Sequence, residues 1–177
     1  MSPAAKLTKI DKALKAKADQ SAYLADDEKT EIRICAGTAC HASGRVALRK
    51  AVEKSLAERG LTDKVAVVET GCHGFCEEGP IVVIRPRGLF YPRLKPKDIQ
   101  EIIATSVVGD GIVERLLYKD PQTGEALAHE KEIAFYSLQE RVVLALNGKI
   151  DPFSLDDYLN HGGYTALAKV LSAADPE

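Results

Sequence analysis

The four cysteines of this chain lie in two tight pairs, Cys35-Ala-Gly-Thr-Ala-Cys40 and Cys72-His-Gly-Phe-Cys76. Thiolates are soft ligands, and four of them in two small-residue loops suit a four-thiolate metal site. A dithiol oxidoreductase or a redox disulfide uses C-x-x-C at a helix N-terminus. Here the intervening residues number four and three, so neither pair matches. Structural zinc prefers short C-x2-C knuckles, which makes these spacings unusual for it without excluding it. A [4Fe–4S] cluster is signalled by C-x2-C-x2-C, which is absent. A [2Fe–2S] cluster asks for two thiolates on each of two irons, and two separate pairs supply that. The simplest assignment puts Cys35 with Cys40 on one iron and Cys72 with Cys76 on the other. His41 and His73 raise a Rieske-type alternative, but each directly follows a cysteine, and adjacent residues point in different directions. Both are expected to be bystanders or hydrogen-bond partners.

The residues around the cysteines fit a redox centre. Gly37, Thr38 and the neighbouring alanines let backbone N–H groups approach a cofactor. Gly71 and Gly74 leave amides for sulfur, Phe75 shields the site from water, and a helix starting near Ser43 points its positive end, with Arg45, at the cluster. Each also has an ordinary use as a turn glycine, a core aromatic or a helix cap. No catalytic residue is expected, because such a centre moves electrons one at a time.

Bulk properties set the frame. At 177 residues, with 45% hydrophobic and 28% charged residues, the chain reads as an ordinary globular protein. A formal net charge of −2 gives no reason to expect nucleic acid as a partner. No apolar run is long enough to cross a bilayer, and the N-terminus carries no secretory signal. The thiols are therefore expected in the reducing cytoplasm, as ligands rather than disulfides.

The cysteine pairs need a scaffold, and the pattern from Glu31 supplies one. Glu31–Cys35 alternates polar and apolar and predicts a strand ending at the first ligand. A helix from Ser43 as N-cap to about Arg59 presents Leu48, Val52 and Leu56, and Gly60 ends it. A strand over residues 64–70 leads into the second loop. Residues 81–85 form an unbroken apolar strand, and Pro86-Arg87-Gly88 turns it into a hairpin with residues 89–92. A last helix has Pro96 near its start and Ile99, Ile102 and Ile103 inward. The order β-α-β, β-hairpin, α predicts an α/β domain over residues 30–106 with a four-stranded sheet, the first two strands parallel. Residues 1–29 read as a helical arm or linker, with Leu7, Ile10, Leu14 and Ala18 at helical spacing. Residues 107–177 read as an extended and helical arm: a turn at 120–124, a helix over 138–147, another capped by Ser154, a break at 161–164 and a last helix over 165–172.

Cys35-x4-Cys40, Cys72-His-Gly-Phe-Cys76-Glu-Glu-Gly-Pro80-Ile-Val-Val-Ile, Gly88-Leu-Phe-Tyr91 and Lys95-Pro-Lys-Asp-Ile99 resemble the thioredoxin-like [2Fe–2S] ferredoxin family. The resemblance implies a thioredoxin-like fold and a [2Fe–2S] cluster on Cys35, Cys40, Cys72 and Cys76. It also implies one-electron transfer at a low potential, about −400 mV for plant-type all-cysteine clusters. The tail looks like the lead-in of an NADH-binding flavoprotein subunit of complex I-like dehydrogenases, related formate dehydrogenases and NAD(P)-dependent or electron-bifurcating hydrogenases. The residues that carry this are Ile112-Val-Glu-Arg-Leu-Leu-Tyr118, Asp120-Pro-Gln-Thr-Gly124, Phe135-Tyr-x-Leu-Gln-x-Arg141 and Ile150-Asp-Pro through Gly162-Gly-Tyr-x-Ala-Leu167. Such subunits hold FMN, NAD(H) and a [4Fe–4S] cluster in segments that would follow Glu177, so no complete FMN or NADH active site is expected in this chain. The implied partners are other iron–sulfur and flavoprotein subunits of a redox complex. The alternative is a structural or redox-sensing module in which a cluster or zinc holds the loops for partner docking.

Overall fold

A computed structural model describes residues 30–173. The arm expected over residues 1–29 lies outside the described residues. The described chain divides into two compact units, one ending at Lys149 and the other starting at Ile150.

The first unit is built on β1 (Glu31–Cys35), β2 (Ala66–Thr70), β3 (Val82–Arg85) and β4 (Leu89–Tyr91), in the spatial order β2-β1-β3-β4. β1 and β2 are parallel, with Cys35 opposite Thr70, so the two strands deliver both cysteine loops to the same end of the sheet. β1–β3 and β3–β4 are antiparallel. The helix between β1 and β2 differs from expectation at its start. A short α1 (Thr38–Ala42) carries Cys40, and α2 (Arg45–Glu58) follows it. Ser43 closes α1, and Gly44 at φ 100° is the residue that precedes α2. The left-handed step at Gly44 lets the chain change direction between the two helices, and no side chain caps the second. Gly60, also at positive φ, follows the end of α2 as expected.

The sheet has two buried faces. Ile32, Ile34, Val82, Ile84, Leu89 and Tyr91 pack with Leu48, Val52 and Leu56 of α2 and with Ile99, Ile102 and Ile103. The last three begin α3 (Ile99–Ile102) and the wider turn that continues it over Ile103–Val108. The opposite face presents Cys35, Ile81, Val83 and Phe90, and it is covered by Ile133, with Tyr118, Leu127, Phe135 and Tyr136 at its edge. These covering residues come from β5 (Tyr118–Lys119), β6 (Ala126–Leu127), α4 (Ala134–Ser137) and their connections. Burial on both faces explains why residues 81–84 read as an unbroken apolar run. The compact unit therefore continues past residue 106, where the sequence pattern had suggested that organisation loosens.

The helix expected over residues 138–147 is not formed; turns occupy that stretch. Most of its apolar stripe is unpacked among the described residues, since Leu138, Val142 and Val143 are 85%, 80% and 93% exposed. A short helix draws most of its stability from such packing, and two consecutive β-branched valines add little propensity. The second unit follows the sequence closely. Ser154 Oγ accepts from the Asp157 N–H at 3.1 Å and caps α5 (Leu155–Asn160). The chain breaks at residues 161–164 and resumes as α6 (Thr165–Ala173). Among the described residues no helix is long and apolar enough to cross a membrane.

Tyr91 ties β4 to the segment after α3. Its buried hydroxyl accepts from the Val113 N–H at 3.1 Å and is hydrogen-bonded to Ser106 Oγ at 2.8 Å. Replacing Tyr91→Phe strands both partners and should cost about 1–3 kcal/mol in chemical denaturation. An unchanged unfolding midpoint would contradict that link.

Candidate metal centre

The sheet order sets the geometry of the thiols. Cys35 ends β1, Cys40 sits in the turn of helix just beyond it, and the loop after β2 brings Cys72 and Cys76 alongside. All four cysteines are free thiols. Cys35 and Cys40 are buried, Cys72 is half-buried and Cys76 is exposed, so the site has an inner pair and an outer pair. Within the inner pair, Cys40 hydrogen-bonds Cys35. Within the outer pair, Cys72 Sγ and Cys76 Sγ are 3.5 Å apart. The pairs also sense one another, because negative charge on Cys35 acts on Cys72 and charge on Cys72 acts on Cys40. Among the described residues, no three histidine, cysteine or carboxylate side chains are arranged for a single ion. The thiols are grouped two and two.

Backbone amides face the sulfurs. The Gly74 N–H donates to Cys72 Sγ at 3.3 Å, and the backbone at His73 and Gly37 favours the Cys35 thiolate as that at Ile81 favours the Cys40 thiolate. The hydrogen bond from Cys40 holds the Cys35 thiol down to about 5, against the opposing effect of burial. The same bond pushes Cys40 up, and burial pushes Cys72 up.

The expected supporting residues divide. Gly74 donates its N–H to Cys72 Sγ, and the Gly37 backbone favours the Cys35 thiolate. Phe75 lies against the buried cluster that includes Cys35 and Cys40, and it stacks on Phe135 with ring centroids 4.2 Å apart and planes 8° apart. Thr38 is exposed at the start of α1. Arg45 differs from expectation: its guanidinium pairs with Glu69 and lies 3.2 Å from His41 Nδ1, so it is committed to a carboxylate rather than to the thiols. His73 is buried, with Nε2 3.1 Å from Thr70 Oγ1 and Nδ1 3.6 Å from Glu130 Oε1. His41 is exposed beside Arg45.

Several contributors have no signal in the sequence. The His73 and Ile81 backbone contributions depend on backbone direction, which residue type does not encode. The second loop is also tied down from outside. Arg93 bonds Glu78 through its side chain at 2.6 Å and through its N–H to the Glu78 carbonyl at 2.8 Å. Arg141 donates to the His73 carbonyl at 2.7 Å.

Sequence comparison agrees with this architecture. The profile of the family "Thioredoxin-like [2Fe-2S] ferredoxin" matches residues 22–106. A 2Fe-2S ferredoxin of Clostridium pasteurianum is 34% identical over 77 residues, covering 44% of this chain and 76% of that protein. A 2Fe-2S ferredoxin of Aquifex aeolicus is 32% identical over 81 residues, covering 46% and 73%. The solved thioredoxin-like [2Fe-2S] ferredoxin from Aquifex aeolicus superposes on 52% of this chain and 98% of its own, at 26% identity and a TM-score of 0.48. With a third of its residues shared across three quarters of a curated ferredoxin, this chain belongs to the thioredoxin-like [2Fe–2S] ferredoxin family.

Proposed function

We propose that Cys35, Cys40, Cys72 and Cys76 hold a [2Fe–2S] cluster, the buried pair on one iron and the outer pair on the other. The observation that carries this reading is the grouping of the four thiols two and two at one end of the sheet. The surroundings fit a sulfur-rich group. Gly79 packs directly against the inner pair, since a Cβ there would come within 2.7 Å of Cys40 Sγ. A Cβ on Gly37 would come within 3.1 Å of Cys72 Sγ. The Gly74 N–H donates to Cys72 Sγ, and neighbouring backbone favours the Cys35 thiolate, an arrangement that stabilises negative sulfur.

When bound, such a cluster takes up and returns one electron. The protein's part is to hold and insulate. Cys35 and Cys40 lie in the core, and Phe75 and Phe135 stack at its edge. Exposed Cys76 marks the side from which a redox partner would approach. The chain is thus an electron-transfer module with no bond-making chemistry of its own. The resemblance of residues 112–167 to a flavoprotein lead-in supports placing it at the N-terminus of the NADH-oxidising subunit of a hydrogenase- or complex I-like oxidoreductase. In that setting its partners are other iron–sulfur and flavoprotein subunits, with FMN, NAD(H) and a [4Fe–4S] cluster outside these residues. Thiol ligands suit the reducing cytoplasm.

Anaerobically purified protein should be reddish-brown, contain iron and acid-labile sulfide in equal amounts, and give a rhombic EPR signal on dithionite reduction. A colourless protein with one zinc per chain would contradict the reading. Cys72→Ser should shift or abolish that signal, and an unchanged spectrum would remove Cys72 from the ligand set. Gly79→Ala should cost about 1–3 kcal/mol of metal-free stability through overpacking. It should also lower the iron retained per chain with the far-UV circular dichroism preserved. Full iron retention would mean that the close approach of Gly79 to Cys40 does not matter to the site.

A further inference from the structure

The family match ends at residue 106, yet part of the chain beyond it returns to the second cysteine loop. Arg141 Nη2 donates to the His73 carbonyl at 2.7 Å, and its guanidinium carbon lies 4.9 Å above the Tyr136 ring. Phe135 stacks on Phe75, and Gly148 packs so closely beneath the buried His73 ring that a Cβ would come within 2.8 Å of it. Gly74, at φ +87°, also faces this segment: a Cβ there would meet Arg141 at 3.4 Å and Phe135 at 3.8 Å.

One peptide unit connects these contacts to sulfur. The His73 carbonyl that accepts from Arg141 and the Gly74 N–H that donates to Cys72 Sγ belong to the same planar amide. Fixing the oxygen at one end orients the N–H at the other. A cationic donor on the oxygen also draws electron density from the amide, which makes its N–H a stronger donor. The backbone of His73 also favours the Cys35 thiolate, so the same short stretch acts on both thiol pairs.

We propose that Arg141 is a positioning residue of the metal centre: by binding the His73 carbonyl it sets the Gly74 N–H···S hydrogen bond and thereby raises the reduction potential. The potential is part of the claim because an N–H···S bond favours the more negative, reduced state. The proposal rests on the cluster reading above, and it extends the site to a residue outside the family-matched span.

The test uses the full chain with Arg141→Gln, Arg141→Lys and, as a charge control, Lys149→Gln; Lys149 lines the same 380 Å³ cavity as Arg141. In metal-free protein, hydrogen–deuterium exchange over residues 71–78 should quicken about fivefold in Arg141→Gln, the order set by one lost hydrogen bond. In reconstituted protein, EPR-monitored titration should show the potential moving negative, with the reduction equilibrium shifted by a similar factor. Arg141→Lys, which keeps a cationic donor, should move both readings back toward wild type. Lys149→Gln should leave both near wild type. Exchange and potential at wild-type values in Arg141→Gln would overturn the proposal. So would a potential shift in Lys149→Gln as large as that in Arg141→Gln, because bulk charge would then explain it. If the chain assembles no cluster at all, the cluster reading fails, whereas the exchange measurement still reports whether Arg141 orders the loop.

Discussion

Four sulfurs can share one small volume of protein only if something answers their negative charge. Here the answer comes from backbone dipoles. The Gly74 N–H donates to Cys72 Sγ, and the backbone at Gly37, His73 and Ile81 favours the Cys35 and Cys40 thiolates, whereas Arg45, the cation expected at the site, is held by Glu69. Fixed amides stabilise charge without the reorganisation that a mobile side chain would need. A carrier benefits from that, because the structure around it must change little between its two oxidation states. The fold is arranged to present those amides. The parallel pairing of β1 and β2 brings the loops together, and Ile81, just before β3, accepts the Cys35 N–H at 3.0 Å.

That arrangement demands a sheet closed on both sides. The helices α2 and α3 cover one face, and the chain after residue 107 covers the other with Ile133 and the aromatic cluster of Phe75, Phe135 and Tyr136. Phe75 belongs to the second cysteine loop, so the covering segment and the metal site share a wall. Stability and function meet in that wall: the aromatic stack buries apolar area while it limits the access of water to the inner thiols.

Much of this could be read from residue types. The alternation in residues 31–35, the hairpin around Gly88, the Pro96 helix start and the Ser154 cap each follow a local rule, and each appears in the structure. The two-by-two grouping of the cysteines was equally legible from their spacing. Residues 138–147 misled because helical spacing of Val142, Val143 and Leu146 says nothing about whether a partner surface exists. Ser43 misled because a glycine in the left-handed region one residue later split the helix in two. The amides of His73 and Ile81 and the reach of Arg141 were invisible for a different reason. Each depends on tertiary placement of backbone, 68 residues apart in sequence for Arg141 and His73. The unbroken apolar run at 81–84 did carry a usable hint, since a strand apolar on both faces needs a second cover.

The central claim is that two thiol pairs hold two irons as one cluster. Mössbauer spectroscopy of protein reconstituted with iron-57 tests it most directly. The account predicts a diamagnetic, spin-coupled ferric pair in the oxidised protein and two inequivalent iron sites after reduction. A magnetically split spectrum from isolated ferric ions, each in a four-thiolate field, would contradict it.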